Sequence, residues 1–180
     1  MRFVISVIAL LLFSLPLQAR PLTGAESASL EKSVESYLRA TMAGNAEKIV
    51  ASLPPRLLNV FAGTAGIEAK QVEKALIEQT RTVLRKGRVK DFVAAPGPYD
   101  GNDARMADGT PIVWVIVRTQ FVTEATGQRV RNDQPLFGVL EDGKWYFSRI
   151  DGPQQQQVVS FAYPFMAGLE LPPATATPLQ

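Results

Sequence analysis

The stretch PIVWVIVRTQFVTE, residues 111–124, constrains this chain more than any other part of it. Ile112, Trp114 and Ile116 alternate with Val113, Val115 and Val117, so its first half is apolar on both faces of an extended strand. A strand that is apolar on both sides needs a cover on each, since leaving either face in water forfeits the burial that stabilises a sheet. Helices are the expected cover on one face. On the other it is either a partner subunit, giving a homodimer through the sheet face, or the chain's own C-terminal segment. The stretch is also long enough for one bent strand to cross a whole sheet.

The flanking sequence reads as an antiparallel meander. Asp142-Gly143 is the clearest two-residue hairpin signal, and it predicts the pairs Glu141 with Lys144, Leu140 with Trp145 and Gly138 with Phe147, the glycine making room for the ring. Thr126-Gly127 returns the chain into RVRNDQPLFGVLE, where Pro135 predicts a bulge or an edge position. RVKDFVAA, from Arg88, is a first and weaker strand, APGPYDGND reads as loop, and Asp108-Gly109 is a further turn.

Ahead of Gly87 the periodicity is helical. Thr23 and Glu26 have capping-box spacing, and Leu30, Val34, Tyr37, Leu38, Thr41 and Met42 then fall on one face until Gly44 stops the helix. Asn45 caps a short second helix, which Pro54-Pro55 ends, and RLLNVFAG adds a further turn or two. From Ile67, the spacing of Val72, Leu76, Thr80, Val83 and Leu84 predicts a longer helix, finished by Arg85 and Lys86 at the negative end of its dipole. Helices first and strands second is an α+β layout: N-terminal helices packed on a curved, roughly four-stranded antiparallel sheet. After Asp151-Gly152-Pro153, QQQQVVSFAYPFM predicts a short helix packing through Val158, Phe161, Ala162 and Phe165, and residues 167–180 read as a flexible tail.

Composition removes whole classes of chemistry. With no Cys and no His there is no disulfide, thiol nucleophile, Ser-His-Asp triad, imidazole metal site or histidine switch to build. No metal-ligand motif, phosphate-binding glycine loop or cofactor fingerprint is present, so no metal or cofactor is expected. The chain opens with a cationic Met1-Arg2 and an apolar run too short to span a bilayer, which reads as a signal peptide over residues 1–19 cleaved after Ala19. A single domain over residues 20–166, periplasmic or secreted and with no remaining membrane anchor, is the expected product. Losing Arg2 would bring the 19 basic residues to 18 against 17 acidic ones, a balance that argues against general attraction to nucleic acid.

Strands closing in EDGKWYF resemble the end of the NTF2-like superfamily, whose fold is an α+β, cystatin-like cone. SYLRATMAGNAEKIVA, residues 36–51, is similar to the first two helices of its ketosteroid isomerase relatives, and the resemblance covers most of residues 28–151. It implies that Tyr37 stands where those isomerases carry an oxyanion-hole tyrosine. Their carboxylate base would fall near residues 59–61, where this chain has no acid. Their second acid would fall near Pro135, with Asp133 the closest carboxylate.

Other constellations have plainer readings beside functional ones. Arg81, Arg85, Lys86, Arg88 and Lys90 form a dense basic stretch that suits a solvated helix end or an anionic partner. Arg129 and Arg131 share a strand face with Asp133, and Arg118 joins them from the neighbouring strand, as a salt-bridge ladder or a pocket mouth. Trp114, Trp145, Tyr146 and Phe147 suit core packing or stacking on a ligand. The resulting expectation is an exported, non-catalytic module binding an envelope protein or a small apolar ligand, with Tyr37, Trp114, Arg118, Arg131 and Asp133 as binding candidates. The alternative is a pocket isomerase, dehydratase or hydrolase using Tyr37 as hydrogen-bond donor.

Overall fold

The computed structural model describes residues 19–180. The signal peptide expected over residues 1–19 lies outside the described residues except for Ala19. The chain orders as β1 (Ala19–Pro21), α1 (Gly24–Met42), α2 (Ala46–Val50), α3 (Pro55–Ala65), α4 (Ala69–Lys86), β2 (Arg88–Ala94), β3 (Asp100–Arg105), β4 (Pro111–Ala125), β5 (Gln128–Glu141), β6 (Lys144–Arg149), α5 (Pro153–Ala162), a 3-10 turn over Pro164–Gly168, and β7 (Thr175–Leu179). Helices on an antiparallel sheet give the α+β class read from the sequence.

Local chemistry sets the element ends. Thr23 accepts from the Glu26 amide while the Glu26 carboxylate accepts from the Thr23 amide, which satisfies two otherwise free donors at the start of α1. Gly44, at φ 67°, turns the chain out of α1, and Asn45 caps α2 through the Lys48 amide. Pro55 opens α3 at its first position, where no amide donor is needed.

The sheet has seven antiparallel strands and is not closed. Its spine is β4 paired with β5 along their whole lengths, from Val113 with Leu140 to Ala125 with Gln128. β6 follows with Glu141 opposite Lys144, Leu140 opposite Trp145 and Gly138 opposite Phe147, the register that the Asp142-Gly143 turn predicts. The outer edge of β4 pairs with β3 as far as Trp114 and with β2 from Thr119 onward. The outer edge of β5 pairs with β7 through Asp133 and with β6 from Leu136 onward. Pro135 sits where β5 changes partners, a place that tolerates a missing amide.

Each face of this spine is covered. On the first face Val115, Val117, Leu136, Trp145 and Phe147 pack against Leu30, Val34, Tyr37 and Leu38 of α1. On the second, Ile112, Trp114, Phe137 and Val139 pack against Leu57 of α3 and against Val159, Ala162, Tyr163 and Met166 at the C-terminal end. Of the two covers expected for the second face, a partner subunit or the C-terminal segment, the chain supplies the C-terminal segment itself.

Three readings need correction. Residues 167–180 are not a free tail: β7 pairs with Arg129–Asp133, because the edge of β5 would otherwise leave its donors and acceptors unpaired and Thr175 and Thr177 suit a strand. Residues 100–103 are not loop, since β3 begins at Asp100 and carries β1 on its other side. In α5 the inward residues are Val159 and Ala162, and Phe161 is 66% exposed, because a helix begun at Pro153 turns that ring outward. α4 forms as its spacing predicts, but only Val72 is buried and Val83 is 61% exposed, since α4 packs mainly on α2 and α3.

Candidate functional site

The two outer edges of the spine change partners at the same level, Arg118 opposite Pro135, and the surface opens there. Ala95 donates its amide to the Arg118 carbonyl at 2.8 Å and ends the β2 side of the ladder. Pro96 and Pro98 follow and have no amide to offer, so the chain bows away from β4 until β3 takes over. Two adjoining concavities result, of about 670 Å³ and about 400 Å³, and both are lined by Ala95, Pro96, Arg118 and Pro172. Their outer wall is the segment from Leu169 to Thr175. Gln156 of α5 pins that segment, donating from Nε2 to the carbonyls of Met166 and Leu169 at 2.8 Å each.

Three of the five residues singled out from the sequence meet in this groove. Arg118 lines both concavities and, among the described residues, makes no ion pair. Asp133 lines the larger one on the same face, and its Oδ1 accepts from Gln120 Nε2 at 2.8 Å. Trp114 lines the smaller one, 5% exposed, its ring stacked on Phe165 with centroids 5.6 Å apart. Its indole Nε1 is buried without a hydrogen-bond partner. An unpartnered buried donor of this kind costs roughly 1–3 kcal/mol.

The other two stand apart. Arg131 shares this sheet face but lies opposite Val122 and Thr177, beyond the groove. Tyr37 lies across the sheet. Its ring packs on Phe92 and Phe147, with centroids 6.1 Å and 5.6 Å away, and it is 7% exposed. Burial raises its phenol above the ordinary value, partly offset by the Arg149 charge and the Thr41 hydroxyl. Tyr37 and Asp133 are therefore separated by the thickness of the sheet, and an isomerase-like tyrosine–carboxylate pair is not assembled from them. Trp145 is equally committed to the first core, donating from Nε1 to Ser29 Oγ at 3.0 Å.

What remains is a site able to bind by charge and shape: a guanidinium for an anionic or carbonyl group, a carboxylate for a donor, and proline and aromatic walls for an apolar body. Among the described residues, no three acidic side chains converge so as to hold a metal ion. Asp103 pairs instead with Arg20 at 2.8 Å and Asp108 with Arg56 at 3.3 Å. Sequence reasoning missed the wall from Leu169 to Thr175, and it read Pro96 and Pro98 as loop without placing them at a site. The signal for both was present in the paired prolines, Pro96 with Pro98 and Pro172 with Pro173, which cannot fill ladder positions. A scan against protein-family models finds no match to this chain, and comparisons with curated proteins and with solved structures find none either.

Proposed function

We propose that this chain is an exported, non-catalytic binding module of NTF2-like type, which holds a small, partly apolar ligand in the groove around Arg118. The observation that carries the reading is the convergence of the Arg118 guanidinium, which has no ion-pair partner among the described residues, and the Trp114 side chain on one proline-walled opening. Arg118 takes the polar end of the ligand. The apolar body lies against Ile116, Leu171 and Pro172. Tyr37 has a structural role on this reading, filling the first core between α1 and the sheet.

The test uses 1-anilinonaphthalene-8-sulfonate, an aromatic anion whose fluorescence reports an apolar site. The expected result is saturable binding at one site, weakened roughly tenfold or more by Arg118→Ala, as for the loss of a hydrogen bond to a charged group, and unchanged by Tyr37→Phe. Circular dichroism establishes that both variants are folded. Binding that ignores Arg118→Ala and responds to Tyr37→Phe would overturn the assignment.

A further inference from the structure

Two basic stretches lying some forty residues apart in sequence are brought together by strand register. Arg88, Glu124 and Arg129 form one row across β2, β4 and β5, and Lys90, Val122 and Arg131 form the next row on the same face. Rows on one face repeat about every 7 Å along a strand and about 5 Å across strands, so these four cations surround a single glutamate within a few square nanometres. The end of α4 adds Arg85 and Lys86 beside them, around a concavity of about 650 Å³ that Glu124 also lines. Lys90 pairs with Glu124. Lys90 first, with Arg129 and Arg88 behind it, holds the Glu124 carboxyl below the ordinary range. Among the described residues, Arg88, Arg129 and Arg131 have no ion-pair partner. Even with Asp91 and Asp133 counted from the neighbouring positions, six cations meet three carboxylates.

Apolar side chains are interleaved with the charge. Val83, three residues before Lys86 on α4, is 61% exposed. Met42, 44% exposed, shares a concavity of about 410 Å³ with Leu84, Arg88 and Lys90. A polyanion in water would be served by the cations alone, and exposing these side chains would gain it nothing. A bilayer surface with anionic headgroups uses both, the charges drawing the protein in and the apolar groups entering the headgroup boundary.

We propose that the end of the molecule formed by the close of α4, the start of β2 and the β4–β5 hairpin docks on membrane surfaces bearing anionic phospholipid headgroups. This surface borders the groove at Asp133 but uses neither Arg118 nor Trp114, so the two assignments stand or fall independently. The full chain without its leader is sedimented with vesicles of phosphatidylcholine alone, or of phosphatidylcholine and phosphatidylglycerol in two parts to one. The expected result is binding to the mixed vesicles only, at about 0.05 M salt, abolished near 0.5 M as screening shortens the reach of the charges.

Each cation near such a surface is worth roughly a fivefold change in partitioning. Arg85→Glu with Lys86→Glu, and separately Arg129→Glu with Arg131→Glu, should each weaken binding at least about 25-fold. A single reversal at Lys32, on α1 across the sheet, should alter it less than about fivefold. Equal binding to neutral vesicles, indifference to either charge-reversed pair, or a Lys32→Glu effect as large as theirs would overturn the proposal. So would tighter binding to a single-stranded oligonucleotide than to the mixed vesicles at the same salt.

Discussion

Replacing Gly138 with alanine tests the packing that holds the first core against the sheet. A Cβ at this position would lie 2.9 Å from Val115 Cγ2 and 3.3 Å from Phe147 Cε1, inside the separation of about 3.5–4.0 Å at which carbon atoms pack well. Neither neighbour has room to retreat, since Val115 is 0% and Phe147 2% exposed and both are walled by α1. Overpacking of this kind costs about 1–3 kcal/mol, and the reduced freedom of the unfolded alanine chain returns about 0.4–1 kcal/mol. The net expectation is a loss of roughly 1–2 kcal/mol. With a urea slope near 2 kcal/mol/M, the unfolding midpoint read from tryptophan fluorescence should fall by about 0.5–1 M. In a Val115→Ala background the nearest clash is gone, so the cost of Gly138→Ala should shrink by at least about 0.5 kcal/mol. An unchanged or raised midpoint, or full additivity of the two substitutions, would refute the reasoning.

Three further outcomes are expected. Burial raises Tyr37 and Tyr163 above the ordinary phenol value near 10, Tyr163 also because its hydroxyl donates to Glu141, so the folded chain keeps protons that the unfolded chain releases. Stability should therefore fall as pH rises above about 10, by up to about 1.4 kcal/mol per pH unit for each buried tyrosine, and Tyr163→Phe should remove one such share of the slope; an unaltered slope speaks against it. Glu26 is lowered to about 2 chiefly by its hydrogen bond to Arg20, so its contribution is present above about pH 4.5 and lost as pH falls toward 2. Glu26→Gln should flatten acid unfolding in that window and cost about 1–2 kcal/mol at neutral pH after allowance for screening at the part-exposed arginine, with a pH profile identical to the parent as the contrary result. Removing residues 175–180 should accelerate amide exchange along Arg129–Asp133, where β7 now pairs, and unchanged protection would mean that β7 does not cover this edge in solution.

Much of the fold was legible because its signals are local. Asp142-Gly143 fixes a hairpin register through left-handed turn geometry, φ 48° and 74°, and the spacing of Leu30, Val34 and Tyr37 fixes which face of α1 turns inward. The two-sided apolar pattern of residues 112–117 also foretold a sheet covered on both faces. What the sequence left undetermined is long-range. Thr175–Leu179 has no periodic signal strong enough to name its partner, and only the free edge of β5 makes it a strand. Val83 and Phe161 follow helical spacing yet face water, since the phase of a pattern does not say which neighbour arrives.

The candidate site divides the same way. Alternation along β4 and β5 correctly groups Trp114, Arg118 and Asp133 on one face, but it is silent on Tyr37, whose position depends on which side of the sheet α1 occupies. The groove itself comes from two partner changes at one level of the sheet, a feature of register between segments far apart in the chain.

The central claim, that ligands enter on the Trp114 face while the Tyr37 face is sealed, is tested most directly by the two indole N–H resonances of the protein, which has only Trp114 and Trp145. Titration with 1-anilinonaphthalene-8-sulfonate, followed by nitrogen–proton correlation NMR, should shift the Trp114 indole signal, whose donor lacks a partner, and leave that of Trp145, bonded to Ser29, in place. A shift of the Trp145 signal with Trp114 unmoved would put the ligand on the other face and contradict the account.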